Sequence, residues 1–102
     1  MGIDVQLRAE DGKVLAEVGD EKSLLSRAAT NGLLSSKRLL RYLVPWGDAI
    51  FNQAQSDDLF LDVREIIKDQ NNKEITELMK KIEPLIDRLH NETHTYLWFV
   101  GD

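Results

Sequence analysis

The sequence predicts an α+β fold: a small antiparallel sheet, made of an N-terminal hairpin and a C-terminal strand, packed with four or five helices mainly on one face. Three observations predict it. Ile3, Val5 and Leu7 alternate with Asp4, Gln6 and Arg8, a Glu10-Asp11-Gly12 turn follows, and Val14, Ala16 and Val18 resume the period-two pattern of a β-hairpin. Ile75, Leu78, Met79, Ile82, Leu85, Ile86 and Leu89 recur at three- and four-residue steps, the strongest helical periodicity in the chain. The residues from Thr93 to Val100 are mostly aromatic or β-branched, as in a strand.

The elements between these landmarks follow from their caps and breakers. Gly19 and Asp20 end the hairpin, and Ser23 is placed to cap a short helix that Asn31-Gly32 terminates, the pair suited to a left-handed C-cap. Ser35 or Ser36 caps an expected second helix with Leu39, Leu40, Leu43 and Val44 inward, which Pro45 stops. Trp46-Gly47 turns the chain, and Asp48 is expected to cap a further short helix running from Ala49 to Gln55. Asp57 and Asp58 open the next helix, where the helix dipole favours negative charge, and Leu59, Phe60, Val63, Ile66 and Ile67 form its apolar stripe. Asn71 with Glu74 resembles a capping box for the last helix, and Pro84 inside that helix is expected to bend it without ending it.

The hairpin strands must be neighbours, so a three-stranded sheet leaves residues 96–100 only an edge position and brings the chain ends close together. That strand is apolar on both faces and carries no Lys, Pro or other protective charge. An exposed edge of this kind invites pairing with another chain. Tyr96, Trp98 and Val100 are therefore candidate interface residues, for a homodimer or for a protein partner.

At 102 residues, with 42% hydrophobic and 30% charged residues, the chain fits one globular domain, residues 1–102. The cysteine count of zero removes disulfide scaffolds, thiolate metal sites and cysteine nucleophiles, and it suits the cytoplasm. No stretch approaches the roughly 18–20 consecutive apolar residues of a membrane helix, and the start lacks the pattern of a secretory signal, so no membrane role is expected. The net charge of −5 is unevenly spread: residues 1–20 carry −3, 21–45 carry +4, 46–70 carry −4 and 71–102 carry −2. The basic segment, with Arg38 and Arg41, is more economically a solvated face that neutralises acidic neighbours than a nucleic-acid surface, since the rest of the chain repels a polyanion.

Motifs with defined chemistry are absent. There is no GxGxxG or GxxxxGK phosphate loop, no HExxH, and no GxSxG or SxxK serine site. His90 and His94 have metal-ligand spacing only if one helix spans both, which Asn91 and the strand start oppose. Asp58 and Asp62, four apart, are expected on one helix face, where they would raise each other's pKa or hold a cation. The richest polar cluster is the corner at residues 45–55. Trp46, Asp48, Asn52 and Gln53, next to Arg38 and Arg41, put an aromatic platform, a carboxylate, amides and two cations around one turn, a candidate binding site.

The opening Met1-Gly2-Ile3-Asp4-Val5, the central Gly47-Asp48-Ala49-Ile50-Phe51-Asn52 and the closing Tyr96-Leu97-Trp98-Phe99-Val100-Gly101-Asp102 together resemble a group of small uncharacterised bacterial proteins. The resemblance spans most of the chain. It implies a bacterial cytoplasmic protein and supplies no activity, cofactor or partner. From the residues themselves the reading is a non-catalytic interaction or regulatory domain that needs no cofactor. The alternative is an enzyme, or a small-ligand or metal-binding protein, with its site at the Trp46 to Asn52 corner.

Overall fold

The computed structural model describes residues 2–69 and 72–101 and shows an α+β fold. Four antiparallel strands, β1 (Asp4–Ala9), β2 (Val14–Val18), β3 (Asp48–Phe51) and β4 (Thr95–Val100), lie in the order β2-β1-β4-β3. The described residues form three helices, α1 (Leu24–Thr30), α2 (Ser56–Lys68) and α3 (Lys73–Asn91), rather than the four or five expected.

The hairpin forms where the alternation placed it. Gly12, at φ 92°, closes the turn by donating its N–H to Ala9 O, and a one-residue bulge at Leu15 shifts the register between the Leu7–Ala16 and Arg8–Val14 pairs. Val5 and Leu7 of β1 then point at the helices together with Leu97 and Phe99 of β4, and all four are fully buried. The whole predicted stripe of α3 is buried against them, and Pro84 sits inside a helix that continues past it. Asn72 caps α3, its side-chain oxygen accepting the N–H groups of Glu74 and Ile75 at 3.0 and 3.2 Å. The capping role expected of Asn71 falls outside the described residues.

Four expectations are corrected. The chain after Gly47 does not start a helix: Asp48 to Phe51 is strand β3, followed by a single 3-10 turn at Gln53–Gln55. The helix expected from Ser35 or Ser36 to Val44 is reduced to a 3-10 turn at Leu40–Tyr42. Ser23 is no side-chain cap; it sits at φ 55°, and the carboxylate of Asp20 takes the N–H groups of Leu24, Leu25 and Ser26 instead. Finally β4 is no edge strand, because β3 pairs along it through Asp48–Val100, Ile50–Trp98 and Phe51–Leu97. The exposed-edge argument for pairing through residues 96–100 falls with that position. The first and last strands lie side by side, Asp4 being paired with Val100; the terminal residues themselves, on which the expected nearness of the chain ends falls, lie outside the described residues.

Placing Asp48 in a strand changes what its removal does. Asp48 is an exposed strand residue, so Asp48→Ala is expected to move the urea midpoint by less than about 0.5 kcal/mol equivalent, whereas loss of a true helix cap costs about 1 kcal/mol. A loss of the larger size would contradict the strand assignment.

The end of β4 is held against the chain before β3. Gly101 donates its N–H to Gly47 O at 3.0 Å, and a Cβ at Gly101 would lie 2.5 Å from that oxygen and 2.6 Å from Pro45 O. The approach requires glycine, and it fixes where β3 begins.

Candidate functional site

The corner at residues 45–55 does not assemble a site. Arg38 is committed to carboxylates: its Nη1 lies 3.1 Å from Asp62 Oδ1 and 3.1 Å from Glu65 Oε2, and these hydrogen bonds, Asp62 first, hold its pKa above the ordinary arginine value. Arg41 lies over the ring of Tyr42 at 5.3 Å. The Asn52 N–H donates to Gln55 Oε1 at 2.9 Å, and Gln53 Nε2 donates to the His90 carbonyl at 2.8 Å. Trp46 is 72% exposed, and Asp48 lies beside Val100 in the sheet. The polar groups serve local structure and do not converge on one point.

The Asp58 and Asp62 expectation is corrected as well. Asp58 is exposed in the first turn of α2, while Asp62 is 0% exposed and accepts the backbone N–H groups of Arg38, Leu39 and Leu40 at 3.0, 2.8 and 3.2 Å. Four donors on one buried carboxylate leave nothing for a cation. Among the described residues no three His, Cys, Asp or Glu side chains lie close enough together to hold a metal ion. His90 lies in the last turn of α3, and His94 sits in the turn after the helix, 3.2 Å from Glu10, so the two imidazoles do not share a helix face.

A grouping that sequence spacing missed brings Ser56, Asp57 and His90 together across the start of α2 and the end of α3. Ser56 Oγ lies 2.9 Å and Asp57 Oδ1 3.6 Å from the same ring nitrogen, His90 Nδ1. A nucleophilic triad divides the two ring nitrogens between nucleophile and acid. Here the serine is 1% exposed and its hydroxyl donates to Gln53 O at 2.8 Å, so the cluster is a joint between helices and no reaction centre. Open grooves are also present among the described residues. One of about 620 Å³ runs between the end of β2 and the start of α3, under the exposed Lys22–Glu74 pair, and one of about 480 Å³ lies between Asn31-Gly32-Leu33 and the ends of α2 and α3. Neither holds a buried polar group lacking a partner.

The unusual surface is the face of the sheet that carries no helix. Its register gives three rows: Val14, Arg8 and Tyr96 at the hairpin-turn end; Glu17, Gln6, Trp98 and Ile50 across the middle; Asp4, Val100 and Asp48 at the other end. The sequence-predicted interface residues Tyr96, Trp98 and Val100 thus form one column down the second central strand. Ile50 beside them is 48% exposed. The Arg8 guanidinium carbon lies over the Trp98 ring, 4.0 Å from its centroid, and Arg8 Nε and Nη2 donate to Gln6 Oε1 at 2.8 and 2.6 Å. A guanidinium over an indole ring gains a cation–π contact. Among the described residues no carboxylate lies within ion-pair distance of Arg8. The chain matches no protein-family model, no curated protein and no solved structure.

Proposed function

We propose that the protein is a non-catalytic interaction domain whose working surface is the helix-free face of its sheet. One observation carries this reading. An antiparallel sheet with one face in water ordinarily alternates apolar inward and polar outward residues, yet the outward positions of β4 are Tyr96, Trp98 and Val100. Adjoining apolar side chains on a surface mark a place where another molecule sits. The corner offers no comparable convergence, which weighs against a catalytic or small-ligand role there. Nothing in the surface calls for a cofactor, and the partner is a protein. A bacterial cytoplasm is the proposed setting, supported by the cysteine-free composition and the resemblance of the three segments.

The test is site-specific photocrosslinking. A benzophenone amino acid replaces Ile50 on the helix-free face or Leu61, an equally exposed apolar residue on α2, and each protein is irradiated in the cells that make it. Discrete adducts from position 50, with few or none from position 61, are expected. Silence at position 50, or equal labelling from both, would overturn the reading.

A further inference from the structure

We infer that the occupant of the helix-free face is a short helix of another protein, cationic on its flanks and apolar along the stripe it lays on the sheet. The inference rests on the proposed interaction role of that face and specifies its partner. Charge sets the sign of the occupant. Asp4, Glu17 and Asp48 stand at outward positions, against Arg8 as the one cation in the rows of the face, in a chain whose net charge is −5. Arg8 is already answered within the face: it donates to Gln6 Oε1, and Gln6 Nε2 donates to Glu17 Oε2, so one amide links the base to an acid. Asp4 and Asp48 flank Val100 in a single row, and among the described residues no cation lies within ion-pair distance of either. Covering that end with an apolar or acidic partner would desolvate two carboxylates without pairing them, which is costly. A lysine or arginine on each flank of the occupant removes that cost.

The backbone sets the occupant's conformation. β1 and β4 are each paired on both sides, so the middle of the face offers side chains and no free row of backbone groups. An extended segment laid over Tyr96, Trp98 and Val100 would press its own N–H and C=O groups against apolar side chains without partners, whereas a helix satisfies those groups within itself. A helix is about 10 Å across, the width of two strand spacings of about 4.8 Å each, so one helix laid along β4 reaches β1 on one side and β3 on the other. Its apolar stripe then meets Tyr96, Trp98 and Val100, with Ile50 at its border, and cations on its two sides fall over Asp4 and Asp48. Five residues rising about 3.4 Å each make the column roughly 17 Å long, about three helical turns. Such a footprint is well below the roughly 800 Å² per partner of a standard interface, which suits a single helix and a weak, reversible complex.

An NMR titration of the isotope-labelled full chain tests it. The probe is a synthetic peptide of about 15 residues, long enough to hold a helix, with leucines along one stripe, lysines flanking them and alanines elsewhere. The control peptide carries glutamate at every lysine position. The lysine peptide is expected to shift the amides of Gln6, Arg8, Ile50 and Trp98 to saturation and to leave those around the exposed Leu61 of α2 in place, while the glutamate peptide shifts none. Asp4→Asn combined with Asp48→Asn keeps the side-chain shapes and removes both charges, and is expected to weaken binding at least about threefold. Ile50→Lys sets a cation against the occupant's own and is expected to weaken it at least about tenfold; urea melts confirm that each variant folds. No shifts on this face, equal response to both peptides, or undiminished binding by the double variant would overturn the inference. The photocrosslinked adducts from position 50 give the same answer in cells once the joined peptide is sequenced. A basic amphipathic segment is expected. An acidic or extended segment, or an adduct at twice the 11.7 kDa chain mass, would overturn the inference while leaving the face an interaction surface; silence at position 50 removes the underlying reading, and the inference with it.

Discussion

Asp62→Ala is expected to remove about 4 kcal/mol of folding stability, a large part of the roughly 5–15 kcal/mol available to a domain of this size. Asp62 occupies an inward position of α2, between Leu59 and Val63, with no exposed surface. Its two oxygens accept the consecutive N–H groups of residues 38–40 and one Arg38 guanidinium N–H. Alanine leaves the part-buried to buried N–H groups of residues 38–40 without that acceptor, while the Arg38 guanidinium keeps Glu65, and each orphaned N–H costs about 1–3 kcal/mol. Asp62→Asn keeps the volume and one acceptor, but turns an NH₂ toward donors, and is expected to lose about half as much. Urea melts give the totals, and amide exchange at Leu39 and Leu40 shows whether the loss is local. A loss for alanine below about 1 kcal/mol would sink the assignment of Asp62 as the anchor of this loop.

Asp20→Ala is expected to cost about 3 kcal/mol by the same physics. The buried Asp20 carboxylate accepts from Ile3 N at 3.1 Å and from Leu24, Leu25 and Ser26 N at 2.7, 3.0 and 3.4 Å. It ties the lead-in to β1 to the first turn of α1. A seven-residue helix cannot stand without such help, because nucleation is unfavourable and its first N–H groups have no partners within the helix. The expected result is early amide exchange throughout α1, together with the lowered urea midpoint. Protection of Leu24 and Leu25 equal to that of the parent chain would contradict it.

The elements legible in the sequence were those whose own periodicity decides them. The hairpin alternation, the α3 stripe and the aromatic run at residues 95–100 each carry enough residues to fix period and face. Strand β3 does not. Four residues are too few to separate period two from a helical turn, and Asp48-Ala49-Ile50-Phe51 becomes a strand because β4 offers it a free row of backbone partners, a non-local cause. The lost helix before Pro45 has a similar explanation. Leu39, Leu40, Leu43 and Val44 carry helical spacing, but the N–H groups of residues 38–40 are taken by Asp62, and only one 3-10 turn survives. One signal for this was present: Leu59, Val63 and Ile66 define an inward stripe that includes position 62, so a carboxylate there had to find buried donors. Reading Asp58 and Asp62 as a pair missed it. For the candidate surface, the sequence identified Tyr96, Trp98 and Val100, but the company they keep with Arg8, Gln6 and Ile50 depends on the strand order.

The pairing of β1 with β4 also bears on how the chain is made. Ala9 faces Thr95 and Asp4 faces Val100, so the two central strands come from opposite ends of the described chain. A nascent polypeptide leaving the ribosome can form the β1–β2 hairpin early, but β1 has no neighbour on its other side until residue 100 has been synthesised. β3 waits equally long, since β4 is its sole strand partner in the described sheet. Half of the sheet therefore closes in a late step that brings distant segments together, the kind of contact that slows folding. Until then Val5 and Leu7 of the waiting hairpin lack the strand that completes their core, and the interval before β4 arrives is when the newborn chain most needs protection from its neighbours.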